Sequence, residues 1–157
     1  MNQTLTKSEI TKKLFVPTKK QLEFLKAGPI FEVAYLGGAG SGKSSVLLVD
    51  AVRQMNEPDA KAVVFRRTTK ELRQLIDYSM QMYPKLEGKW NQHGSYWQFP
   101  SGGKIFFSHM ETAQDKYQHD GQEYSAGVFF DEITSFEEEQ YLYLHSRCRT
   151  TNPKLVP

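Results

Sequence analysis

With 157 residues the chain can bury one core of ordinary size and not two. A content of 39% apolar and 13% aromatic residues excludes a disordered chain, and a net charge of +2 does not by itself mark a nucleic-acid binder. No apolar run approaches the roughly 20 residues that span a bilayer, residues 1–4 lack a signal-peptide start, and the lone Cys148 rules out an internal disulfide, so the composition reads as soluble and cytoplasmic.

Residues 1–16 read as an N-terminal arm or short helix, with Lys7, Lys12 and Lys13 set around Leu5, Ile10, Leu14 and Phe15. One domain is expected over 17–157. Thr18 followed three residues later by Gln21 is a capping box, Leu22 and Leu25 form an apolar stripe, and Gly28 is placed to stop the helix. That accounts for Gln21 structurally. A glutamine just before a first strand could also reach an adenine edge, and on the residues alone the cap is favoured. Residues 30–36 are apolar and β-prone and predict that first strand.

Next stands Gly37-Gly38-Ala39-Gly40-Ser41-Gly42-Lys43-Ser44, which fits G-x-x-x-x-G-K-[ST] without a mismatch. From Ser45 to Val52 the chain can continue as a buried helix. Strand, loop and helix together are the setting a phosphate-binding loop needs. Glycines let backbone N–H groups turn inward, and the helix N-terminus adds positive potential. Lys43 is expected on the β/γ-phosphates and the Ser44 hydroxyl on Mg2+.

Asn56, Pro58 and Asp59 mark a turn, and residues 60–65 predict a core strand ending in Arg66-Arg67. Thr68 caps a helix whose apolar positions Leu72, Leu75, Ile76, Met80 and Tyr83 follow a helical period, and Pro84 ends it. Residues 95–99 and 104–108, around Pro100-Ser101-Gly102-Gly103, read as a β-hairpin with the second arm more buried. Its aromatics suit core packing better than a base-stacking platform. Residues 110–124 read as a polar loop near the site, and His109, His119 and Asp120 match no zinc spacing. Residues 126–130 predict a buried strand ending in Asp131-Glu132. Ser135 and Glu138 then suggest a capping box for a helix reaching about Arg149.

The acidic pair lies where ligands bind in an open parallel sheet, beyond the strand's carboxyl end. Asp131 is expected to hold Mg2+ opposite Ser44, and Glu132 to activate water as general base. The second acid argues for hydrolysis of ATP rather than mere binding. The expected architecture is an α/β P-loop NTPase three-layer sandwich, with a mainly parallel sheet of the additional-strand, Asp-Glu division plus a hairpin.

Several stretches, taken together and in this order, resemble the ATPase domain of the large terminase subunit of tailed double-stranded DNA bacteriophages. They are Thr18-Lys19-Lys20-Gln21, the loop from Tyr35 to Ser44, Phe65-Arg66-Arg67-Thr68, Asp115-Lys116-Tyr117-Gln118 with Gly121-Gln122-Glu123, and Phe129-Phe130-Asp131-Glu132-Ile133. The resemblance implies a motor that binds ATP and Mg2+ and drives viral double-stranded DNA through the portal protein into the procapsid. It further implies a small terminase subunit as partner, a homo-oligomeric ring on the portal, and a place in the host cell cytoplasm. It raises the adenine reading of Gln21 above the cap. Ala39 stands where many relatives carry an arginine, which leaves Arg66 and Arg67 as candidates for γ-phosphate sensing or coupling. No arginine finger is assignable in the loop with Lys116, Gln118 and His119, while Arg147 and Arg149 stay open. The chain is expected to stop short of the coupling strand and to lack a nuclease domain. Two other readings stay open: a helicase-type DNA-acting ATPase, and a nucleotide-binding module inactive outside its assembly.

Overall fold

A computed structural model describes residues 5–28 and 30–157, and the expectations that concern residues 1–4 lie outside them. The first element, helix α1 (Lys7–Leu14), starts at a Thr6–Glu9 capping box and sends Ile10 and Leu14 into the core, so the described part of the N-terminal arm is packed structure. Helix α2 (Lys19–Lys26) follows the predicted Thr18–Gln21 box. Only part of its expected stripe is buried: Leu25 is enclosed while Leu22 is exposed.

The strand expected at 30–36 does not form. A strand needs a partner for its backbone, and among the described residues this segment joins no ladder. Ile30 and Leu36 are 61% and 72% exposed. The segment is held instead by Tyr35 against Phe24, with ring centroids 5.4 Å apart, and by Lys20 Nζ donating to the Leu36 carbonyl at 2.7 Å.

Helix α3 (Lys43–Val52) runs inward with Val46, Leu48, Val49, Ala51 and Val52 buried. Strand β1 (Lys61–Arg66) comes next, then helix α4 (Thr69–Met82) behind a Thr68–Glu71 capping box. Met80, expected in the apolar stripe, is exposed. A 3-10 turn, Tyr83–Leu86, contains Pro84 and ends the helical run. The hairpin is present as β3 (Tyr96–Gln98) and β4 (Lys104–His109), joined by an unpredicted edge strand, β2 (Lys89–Asn91). Residues 110–124 include a 3-10 helix, Ala113–His119, before β5 (Val128–Phe130).

The last helix, α5 (Glu138–His145), is shorter than expected and is capped by Glu137 with Gln140, not by Ser135 with Glu138. Ser135 closes a preceding 3-10 turn, Ile133–Ser135, where its Oγ donates to the Glu132 carbonyl at 2.7 Å. Gln140 decides between the two overlapping patterns. Its amide donates to the Thr112 carbonyl at 2.7 Å while its oxygen accepts from Glu137 N at 3.1 Å.

The sheet order is β2-β3-β4-β1-β5. Strand β1 pairs in parallel with β4 and with β5, whereas β2, β3 and β4 pair antiparallel. The sheet is therefore mixed, not mainly parallel: two of its strand pairings are parallel and two antiparallel. Both faces are covered. Ala62, Val64, Ile105 and Phe107 pack with helices α1 to α4, while Val63 and Phe65 turn to the other side with Tyr124 and Leu144. The parallel strands end together, so Arg66, His109 and Asp131 reach one edge of the sheet. Strand β5 stands at the end of the order, and its outer side and residues 30–36 border one cavity of about 700 Å³. Among the described residues no helix is long and apolar enough to cross a membrane.

Candidate nucleotide-binding site

The glycine-rich loop enters α3 through two left-handed residues, Gly40 at φ 73° and Gly42 at φ 71°. Only glycine occupies that region without strain. Gly42 has a second constraint, because a Cβ there would run into the amide nitrogen of Gln21. The N–H groups of Lys43, Ser44 and Ser45 form the first turn of α3, where no intrahelical acceptor is available. Lys43 folds back over the loop, Nζ donating to the carbonyls of Gly37 at 2.9 Å and Gly38 at 2.8 Å. Ser41 Oγ is buried and has no hydrogen-bond partner among the described residues.

Gln21 is buried and both ends of its amide are engaged within the chain. Its oxygen accepts from Thr18 N at 2.9 Å, and its nitrogen donates to the carbonyls of Gly42 at 3.3 Å and Ser41 at 3.5 Å. The cap and a clamp on the loop are therefore combined in one side chain. An adenine contact would have to compete with these bonds.

The loop meets the acidic pair directly. Ser44 Oγ donates to Asp131 Oδ2 at 2.7 Å, across 87 residues of sequence. Arg66, at the end of β1, donates to the same oxygen through Nε at 2.8 Å and reaches Glu132 through Nη1 at 3.3 Å. Asp131 is 2% exposed and Glu132 51% exposed, so one acid is enclosed and the other faces the open side. Glu132 also has φ 60°, a left-handed backbone uncommon for a residue with a side chain. The turn that follows holds it there, with Ser135 N on the Glu132 carbonyl at 3.0 Å.

The structure thus brings together Gln21, the loop 37–45, Arg66, Asp131 and Glu132. Ala39 contributes backbone only. Arg67 is drawn away from the pair: Nη1 donates to Gln140 at 2.6 Å and Nη2 lies 3.6 Å from Glu137. The two remaining candidates for a finger are also paired, Arg147 with Asp120 at 3.0 Å and Arg149 with Glu123 at 2.9 Å. Lys116 pairs with Glu139, Gln118 donates to Asp115, and His119 is buried between Tyr124 and Ser108. Burial and the neighbouring Lys61 charge push the His119 pKa down from 6.5 to about 4. Among the described residues no group of three or more His, Cys, Asp or Glu side chains could hold a metal by themselves.

Gln140 escaped sequence reasoning. It is fully buried and ties Arg67 at the end of β1 to the start of α5 and to the Met110–Thr112 backbone. Its position three residues after Glu137 was the available signal.

These elements define an α/β domain in which a glycine-rich loop and an acidic pair face each other beyond the carboxyl ends of parallel strands. The family model described as "Terminase large subunit, T4likevirus-type, N-terminal" matches residues 34–156, and the chain belongs to that family, the large terminase subunits of phage. No curated protein and no solved structure matches the chain.

Proposed function

We propose that the chain is the ATP-binding and ATP-hydrolysing motor domain of a phage terminase large subunit, built on a P-loop NTPase sandwich. Its work is to drive viral double-stranded DNA into the procapsid. The observation that carries this reading is the 2.7 Å bond between Ser44 and Asp131, which joins the loop to the acidic pair. Two hard oxygens in contact, one of them charged and enclosed, suit Mg2+ held with a nucleotide. Bound there, Mg2+ neutralises charge that develops on the phosphates.

The chain's own groups supply the rest. The first turn of α3 offers N–H donors to the phosphates. Lys43 exchanges the Gly37 and Gly38 carbonyls for phosphate oxygens, its ammonium already lying over the loop. Glu132, on the open side, takes the proton of the attacking water. Family membership supports double-stranded DNA, the portal protein, the small terminase subunit and a homo-oligomeric ring as partners, with action in the host cytoplasm.

A second reading is favoured by one observation: Ala39 supplies no charge in the loop, and Arg147 and Arg149 are both paired elsewhere. It holds that the chain binds nucleotide alone but turns it over only within its assembly. Steady-state ATPase assays with Glu132→Gln test the first. Turnover should vanish while fluorescent-nucleotide binding stays within about twofold of wild type. Turnover that survives the substitution removes Glu132 as the base. A wild-type chain that binds but never turns over supports the second reading.

A further inference from the structure

Asp131 Oδ2 has its full complement of donors, all from side chains of the same chain. It accepts from Ser44 Oγ at 2.7 Å and from Arg66 Nε at 2.8 Å, and Arg66 Nη2 lies 2.7 Å away as part of the ion pair. The same guanidinium bridges to Glu132 at 3.3 Å. With two lone-pair directions on an oxygen, no direction is left for a further partner. Arg66 is only 11% exposed, so solvent screens this contact weakly. A carboxylate taken out of water needs a compensating charge, and here a side chain of the same chain supplies it.

We propose that Arg66 is the resident counter-ion of Asp131 and Glu132, and that it gives up Asp131 when a divalent cation enters with the nucleotide. The inference rests on the reading of the loop as a nucleotide site with Mg2+ beside Ser44. Two cations cannot share one enclosed carboxylate oxygen at contact distance without strong repulsion. Arg66 must therefore leave Oδ2, keeping Glu132 or turning to the phosphates, and this exchange couples the end of β1 to the filling of the site. Arg66 is on this view a positioning residue. It keeps the acids paired and apart from stray cations until the nucleotide arrives, a task suited to its planar fork of donors.

Mn2+ binding followed by electron paramagnetic resonance, with no nucleotide present, tests the competition. Arg66→Gln should bind Mn2+ more tightly by on the order of tenfold. Arg66→Lys, which keeps the charge but loses the fork, should gain less. Thermal melts identify any variant that fails to fold, and unchanged or weaker Mn2+ binding by a folded Arg66→Gln overturns the proposal. The wild-type protein supplies an independent test through the Arg66 Nε–Hε signal in nitrogen-correlated NMR, identified by its loss in Arg66→Lys. That signal should shift and begin to exchange with water when Mg2+ and a non-hydrolysable ATP analogue are added together, and much less with the analogue and a chelator. A signal that stays in place while fluorescence shows the Mg2+-bound analogue bound rejects the exchange alone. Failure of the wild-type chain to bind any nucleotide rejects the reading beneath it as well.

Discussion

His119 shows how a side chain that suggests chemistry can be retained for packing. It lies edge-on to Phe65 at 5.0 Å, and its Nδ1 shares a 2.6 Å hydrogen bond with the Tyr124 hydroxyl. Neutral imidazole fits this enclosure and imidazolium does not. Because the folded-state pKa is lowered from 6.5 to about 4, the unfolded chain binds more protons between those values. The stabilising contribution is complete above pH 6.5 and is lost as the pH falls toward 4, and across that window it corresponds to about 3 kcal/mol. Urea titrations at successive pH values should show stability falling over this range, with a flatter profile in His119→Gln. Gln21 is the opposite case, a residue readable in two ways from its neighbours, whose amide in fact serves the cap and the loop at once. Gln21→Glu keeps the cap oxygen and removes the donor to Gly42. If the clamp is its main service, ATP and GTP affinities should fall together in equilibrium titrations, by roughly threefold to tenfold. A loss confined to ATP would restore the adenine contact.

Helix α3 carries the loop, and its position depends on elements far along the chain. The Tyr83 hydroxyl donates to the Leu48 carbonyl at 2.8 Å in a fully buried contact, joining the turn after α4 to the middle of α3. Tyr83→Phe should cost about 1 kcal/mol, seen as a lower urea midpoint with unchanged slope. Elements announced by local spacing were legible in advance: the glycine-rich loop, the Thr18 box, the Thr68 cap, β1, the hairpin and the Asp131-Glu132 strand end. Those decided by remote partners were not. Residues 30–36 have strand composition but no paired neighbour. Glu137 rather than Ser135 caps α5 because Gln140 is fixed by a backbone 28 residues away. Strand β2 is three residues long, too short for alternation to reveal. Arg66 could be named as a candidate from its place after β1, but its partner lies 65 residues further on, and no spacing rule points there.

The sheet is assembled around β1, among the described residues the one strand with parallel neighbours on both sides. Each of those pairings closes a long stretch of chain, and the contact between Ser44 and Asp131 spans 87 residues. Closing such loops costs entropy before any contact returns it, so pairings of this kind form slowly compared with helices. During refolding, or as the chain leaves the ribosome, α3 and its loop can take shape well before β5 is in place. Competence to hold a nucleotide should then lag behind the recovery of helical circular dichroism, appearing only with the slowest refolding phase in stopped-flow measurements with a fluorescent nucleotide. On the proposed reading, the glycine-rich loop should be made early and become a site only when β5 docks.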